Sequence, residues 1–385
     1  MTLKKKFQSR SRQKPERGKD LNIGIIDADL IYNKKQRFPN LACMKLSAYY
    51  KAQGHTVKLL LSYDDIENYD KVFISKVFID TQIPDGILEL SWVEYGGTGF
   101  YYDKAPPLPY EIEHIKPDYS LYDDFVKSAL ERGIKPKELQ YYTDYSIGFT
   151  TRGCIRGCSF CVNKNYKQCL KHSPISEFLD ENRKYICLLD DNVLACRDWK
   201  EIFKELNDSG KKFQFKQGMD ERLLTDEKCE IIFNSNWIGD YIFAFDNIKD
   251  SNLIERKLKL IRQHTNKNIK FYCFCGYNHI TEGQYSEDFW VSDIVDLFKR
   301  IDILRNYHAL PYVMRYADYK ESPYRGLYDS ITAWCNQPSF FKKQSFREYC
   351  IRSYELNRKS LLRYLTEFES KYPDIAQKYF DTKWR

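Results

Sequence analysis

The chain alternates short apolar runs with longer stretches of mixed polarity. Leu21-Asn-Ile-Gly-Ile-Ile-Asp27 is one such run, and its nearly unbroken apolar character predicts a strand covered on both faces. A helical pattern follows from about Pro39 to Gln53 and stops at Gly54. His55–Leu61, Lys71–Ser75 and Trp92–Tyr95 predict three more strands, the last running into Gly96-Gly97-Thr98-Gly99. Strand, helix, strand at this spacing predicts a small open α/β sheet over residues 21–104. Residues 105–140 open on the Pro-rich Ala105–Pro109 and carry weak signals afterwards, so they are expected to connect two domains. A second alternation begins near Thr143. Strands are predicted at 143–149, 184–190, 212–217, 239–245, 268–275 and 309–314, with helices at 198–208, 225–236, 249–264 and 285–304. Ser173 before Pro174 is a cap and first-turn pair for a helix in the first crossover. Six βα repeats over 141–335 predict an incomplete TIM-type barrel with parallel strands, whose ligands sit at the C-terminal strand ends. The last segment, 336–385, reads as helix: Phe346, Cys350 and Tyr354 share one face, as do Leu361, Leu365, Phe368 and Tyr372.

Composition refines this outline. The chain has 385 residues, 43% hydrophobic and 30% charged, which excludes a wholly disordered polymer. No apolar run reaches the roughly 20 residues of a helical membrane span, and no secretory h-region follows the first charges, so a cytoplasmic protein is expected. The net charge of +7 sits at the ends: residues 1–20 hold eight basic against two acidic side chains, and residues 337–385 hold 11 against 6. The first 20 residues almost lack large apolar side chains and are expected to be a disordered basic arm. Both ends are compatible with nucleic-acid contact, with solvated tails, and, at the C-terminus, with an amphipathic helix packed on the barrel.

Twelve cysteines without an export signal point to a metal site or a catalytic thiol rather than disulfides. Three stand together in Gly148-Phe-Thr-Thr-Arg-Gly-Cys154-Ile-Arg-Gly-Cys158-Ser-Phe-Cys161, where the first barrel strand ends. Three thiolates on one short loop can each hold one iron of a cubane cluster and leave the fourth iron open to substrate or cofactor. Gly153 and Gly157 let the loop wrap tightly, and Arg152 and Arg156 bring positive charge beside an anionic cluster. The competing chemistry is a structural zinc completed by Cys169 or His172. Cys273 and Cys275 share a face of the fifth strand and suit either an auxiliary cluster or small buried hydrophobes; Cys43, Cys187, Cys196, Cys229, Cys335 and Cys350 show no ligand spacing.

The C-x3-C-x-aromatic-C spacing, with Phe160 as the aromatic, resembles the signature of the radical S-adenosylmethionine superfamily. The run from Thr151 to Val162 resembles members that carry a cobalamin-binding-like domain upstream. So do Leu188-Leu-Asp-Asp-Asn192, Gln217-Gly-Met-Asp220, Phe243-Ala-Phe-Asp246 and Pro311-Tyr-Val-Met-Arg315, over about residues 21–335 in all. The resemblance implies a Rossmann-like sheet followed by a partial (β/α)6 barrel. It implies a 4Fe-4S cluster on Cys154, Cys158 and Cys161, with S-adenosylmethionine chelating the open iron. A low-potential donor such as flavodoxin or ferredoxin would supply an electron. The sulfonium would be cleaved to methionine and a 5′-deoxyadenosyl radical that takes hydrogen from a substrate. Phe160 would lie near the adenine, and Asp191, Gln217 and Asp246 at the strand ends would hold the cofactor. The cobalt-ligating D-x-H-x-x-G loop has no match: after Asp27 the chain reads Ala-Asp-Leu-Ile-Tyr-Asn. Cobalamin is therefore not expected. A zinc-stabilised nucleic-acid-binding module and a non-catalytic iron–sulfur scaffold stay open beside the enzyme.

Overall fold

The computed structural model describes residues 20–281 and 283–384; the arm expected over 1–20 lies outside them except for Asp20. The described chain is mixed α/β, and the strands of its larger sheets pair in parallel. It divides into two compact units. The first contains the described residues through Thr150 with Cys161–Tyr166 and Lys171–Leu189. The second contains Thr151–Phe160, Lys167–Leu170 and the described residues from Asp190 onward. Among the described residues, no helix is long and apolar enough to cross a membrane.

In the first unit, β1 (Asn22–Asp27), β2 (Thr56–Leu59), β3 (Lys71–Ser75) and β4 (Val93–Gly96) form a sheet in the order β2-β1-β3-β4. Ile23, Ile25 and Ile26 are fully buried, as the apolar run of a central parallel strand requires. Strands leave β1 in both directions, so the carboxyl ends of β1 and β3 form a topological switch point, where parallel sheets open a crevice. Asp27 and Ser75 are register partners there. Asp27 caps the helix Ala28–Tyr32 through Leu30 N and accepts from Tyr122 Oη at 2.8 Å. Tyr122 Oη accepts in turn from Asn40 N at 2.9 Å, and Asn40 Nδ2 donates to Ser75 Oγ at 3.0 Å.

Tyr122 belongs to the stretch expected as an interdomain connection, and that expectation is corrected. Residues 105–140 include the helices Tyr110–Glu113 and Asp123–Glu131. Tyr122, Phe125 and Ala129 follow helical spacing, and with Ile112 and Leu139 they are buried in the cluster around Ile25, Met44 and Phe73. Isolated polar residues between them dilute the hydropathy and conceal the face. β5 (Tyr145–Gly148) and β8 (Tyr185–Leu188) pair in parallel in this same unit. The helix expected after Ser173 is a single 3-10 turn, Ile175–Glu177. Ser173 Oγ bonds His172 Nδ1 at 2.9 Å, and no side-chain cap bond starts the turn.

In the second unit, β9 (Lys212–Phe215) precedes the sheet β10 (Tyr241–Ala244), β11 (Ile269–Cys275) and β12 (Leu310–Arg315). Parallel bridges Phe213–Trp237 and Met219–Phe243 join the β9 segment to that of β10. Helices Trp199–Asp208, Asp226–Asn234, Ser251–His264 and Glu287–Asn306 alternate with these strands. On β11, Cys273 and Cys275 are buried thiols that donate to Phe271 O and Met314 O, and burial pushes Cys273 up to about 12. The C-terminal helices Phe346–Glu355 and Lys359–Lys371 bury Phe346, Cys350, Leu365 and Phe368, with Phe346 against the rings of Phe298 and Phe380; Tyr354 points outward at 47% exposure.

Burial raises Asp27 to about 7, outweighing the bond from Tyr122, and the nearby Asp29 adds to the rise. A carboxyl whose folded pKa lies above its unfolded value costs stability as pH rises between the two, and the full cost is present above the folded value. Asp27→Asn keeps an acceptor without the charge. Thermal unfolding should therefore show variant and wild type converging near pH 3, with the variant gaining from pH 4 to 7 and a constant advantage of a few kcal/mol, roughly, above pH 8.

Candidate functional site

The cysteine loop leaves β6 (Thr151–Arg152) through two glycines in the left-handed region, Gly153 at φ 95° and Gly157 at φ 61°. A side chain at either position would strain the backbone, so the glycines set the loop's path. The loop's entry is held by the consecutive residues Asp190, Asp191 and Asn192. Asp190 Oδ1 accepts from Thr151 N at 2.6 Å and Thr151 Oγ1 at 2.7 Å. Asp191 Oδ2 accepts from Gly153 N at 2.9 Å, and Asn192 Nδ2 donates to Cys154 Sγ at 3.4 Å. Further along, Arg156 pairs with Asp220, which also accepts from Arg222 Nε at 2.7 Å, and Arg222 reaches Asp250 at 2.8 Å. These ion pairs fix a positive side chain within the loop.

Beyond the loop lies a cavity of about 280 Å³, whose lining includes Cys158, Phe160, Arg222, Asp246, Asp250 and His279. Phe160 stacks on Phe274 with centroids 4.0 Å apart and meets Tyr277 and His279 edge-on. Asp246, two residues beyond β10, accepts from Phe274 N at 3.2 Å. Burial raises it to about 6 against the opposing charge of Arg300, so it changes charge near neutral pH. Burial, with the charges of Arg300 and Lys249, lowers His279 and so favours its neutral form. Glu221 is 1% exposed, accepts from Ala244 N at 3.2 Å, and is raised to about 8 by burial and the adjacent Asp220.

The structure thus brings Cys158, Phe160 and Asp246 to one cavity and Asp191 to the cysteine loop. Gln217 is exposed and does not line that cavity. Asn192 was legible as a strand-end residue but not as a partner of Cys154; Glu221 and His279 carry no sequence signal beyond following a strand.

Cys154, Cys158 and Cys161 are half-buried and form no disulfide, and Asn163 N donates to Cys161 Sγ at 3.4 Å. Half-buried thiols with N–H donors at two of the sulfurs suit cluster ligation. Among the described residues, no three His, Cys, Asp or Glu side chains converge on a single-ion position. Thiolates that each hold a different iron of a cubane need no such convergence. Neither proposed zinc completer is set up as a ligand. Burial pushes Cys169 up to about 12, and His172 is engaged by Ser173 Oγ, Glu113 and the ring of His114.

No protein-family model matches the chain. Its fold is similar to that of a solved radical S-adenosylmethionine methyltransferase. That enzyme is TsrM from Kitasatospora setae with cobalamin and a 4Fe-4S cluster bound: TM-score 0.50, 12% identity, 77% of this chain and 75% of that one covered. TsrM with tryptophan and the analogue aza-SAM matches at TM-score 0.47 and 12% identity, over 76% and 72% of the two chains. The cobalamin-dependent radical enzyme OxsB, in its apo form, matches at TM-score 0.42 and 15% identity, over 95% and 64%. At these identities the likeness concerns the fold. The expectation against cobalamin is corrected by it: the absent histidine motif argued against the cofactor, yet the TsrM structure that shares this fold holds cobalamin.

Asp190→Ala removes two hydrogen bonds to a carboxylate, each worth about 1.5–3 kcal/mol. Hydrogen exchange should show the Thr151 amide losing its protection while the amides of β11 keep theirs; unchanged protection at Thr151 would refute the anchoring role.

Proposed function

We propose that the chain is a radical S-adenosylmethionine enzyme, with the finer architecture of a Rossmann-like sheet followed by a partial (β/α)6 barrel. The observation that carries the reading is the cysteine loop tied down at Thr151, Gly153 and Cys154 by the residues Asp190, Asp191 and Asn192. In this reading Cys154, Cys158 and Cys161 hold a 4Fe-4S cluster. When bound, that cluster supplies the low-potential electron that cleaves S-adenosylmethionine reductively. Phe160 and Asp246 bind the nucleoside portion in the cavity they share, and Asp191 keeps the loop in place rather than touching the ligand. Gln217, outside that cavity, is given no role. Arg156, held by Asp220, offsets the negative charge of the thiolates. Twelve free cysteines and a reduced cluster both suit the reducing cytoplasm, with a flavodoxin or ferredoxin as electron donor.

Cobalamin enters the same reading through the fold, at the carboxyl ends of β1 and β3. The test of fit is the loop after β1. Asp29 stands where the motif histidine would be, and its carboxylate accepts from Val77 N at 2.7 Å and from Thr81 Oγ1. This side chain ties down the 77–81 loop and is not available to cobalt. The neighbouring Val77, Phe78 and Ile79 are more than half exposed and offer apolar surface to a macrocycle.

Anaerobically reconstituted protein should bind about four irons per chain and form 5′-deoxyadenosine from S-adenosylmethionine and a strong reductant. Cys154→Ala, Cys158→Ala and Cys161→Ala should each keep the circular-dichroism spectrum and lose iron and product. Iron-loaded protein that never yields 5′-deoxyadenosine or S-adenosylhomocysteine would refute the enzymatic reading. Titration with hydroxocobalamin should give a saturable spectral change that Phe78→Asp weakens at least tenfold, about 1.4 kcal/mol.

A further inference from the structure

The buried side-chain amide of Asn192 lies next to Cys154, and its role there rests on the cluster reading above. Asn192 begins the 3-10 turn Val193–Ala195 as its N-cap residue, yet its side chain makes no cap bond. Asparagine at such a position ordinarily turns its oxygen back to the first free amides. Here the side chain, 3% exposed, reaches Cys154 Sγ with Nδ2, and its Oδ1 is buried with no hydrogen-bond partner. Two favourable options, capping and solvation, have been given up for one N–H···S bond. The opposite amide orientation would set oxygen lone pairs against sulfur, so the donor must face Cys154. The flanking Asp190 and Asp191 spend carboxylate oxygens on the backbone of the same loop, while the neutral Asn192 is aimed at a ligand sulfur.

We propose that Asn192 is a positioning residue whose amide orients the Cys154 thiolate and raises the cluster's reduction potential. An N–H donor stabilises negative charge on sulfur, and that charge grows when the cluster takes up an electron, so the bond favours the reduced state. Replacing the donor weakens electron binding; a carboxylate in its place weakens it further through repulsion.

The experiment is an EPR-monitored redox titration of the reconstituted protein, Asn192→Leu and Asn192→Asp, with iron and sulfide measured on each. Both variants should hold the cluster. Asn192→Leu should bind the electron about tenfold more weakly, a midpoint lower by about 59 mV for one electron, and Asn192→Asp should fall lower still. A fully loaded Asn192→Leu with the wild-type midpoint overturns the proposal. A second measurement needs no variant: wild-type protein carrying side-chain 15N-asparagine should show a nitrogen coupling to the reduced cluster in pulsed EPR. Its absence overturns the proposal even where a variant fails to load. Wild-type protein that takes up no iron refutes the cluster reading itself, and is distinguished from failure at Asn192 by that analysis.

Discussion

The cysteine loop has little regular structure, and its position depends on carboxylate-to-backbone hydrogen bonds. Asp190 and Asp191 accept from Thr151 and Gly153, so the entry to the loop cannot drift relative to the turn that follows Asp190. Charge-assisted bonds of this kind are shorter and stronger than neutral ones, and burial of Asp190 protects them from solvent screening. Everything chemical that follows along the chain, from Cys154 to Phe160, takes its starting point from that grip. The glycines at 153 and 157 then set the path, because only there does the backbone adopt positive φ within the loop.

Buried acids recur at strand ends in both units, and their environments divide their tasks. Asp27 lies between a tyrosine hydroxyl and a helix N-terminus, yet burial still lifts it to about 7. Asp246 and Glu221 sit beyond the carboxyl ends of parallel strands and are lifted to about 6 and 8. Asp220, close to Glu221 in sequence, faces two arginines and serves as an ionic hub. Burial thus lifts Asp27, Glu221 and Asp246 to where they exchange protons near neutral pH, while Asp220 holds its two arginines.

The parallel strands were legible with small boundary shifts because buried runs such as Ile23–Ile26 and the alternation of β11 leave a plain periodic trace. Lys71–Ser75 was read with its observed ends. The segment 105–140 was misread because Tyr122, Phe125 and Ala129 are separated by charged residues; about two turns of helix bring them to a common face, but a hydropathy average does not. The helix after Ser173 failed for a different reason: its hydroxyl bonds the ring of the preceding residue, His172, instead of capping the turn. At the site, Phe160 was read as the aromatic of the cysteine motif and Asp246 as a strand-end residue, and folding puts the two in one cavity. Asp191 and Gln217 were given the same standing on the same grounds, yet one is bound to backbone and the other faces solvent.

The residues alone determined what is local in the chain: three thiols at C-x3-C-x2-C spacing, glycines where the loop must turn, and an aromatic before the last thiol. Those features act within a dozen residues, so spacing suffices to define them. Tertiary structure decided the partnerships between distant residues: which acid grips the loop, which is neutral by burial, and which amide points at sulfur. Such choices depend on distance and dielectric after folding, and residues 38 positions apart, as Cys154 and Asn192 are, leave no mark of their contact in the order of the letters.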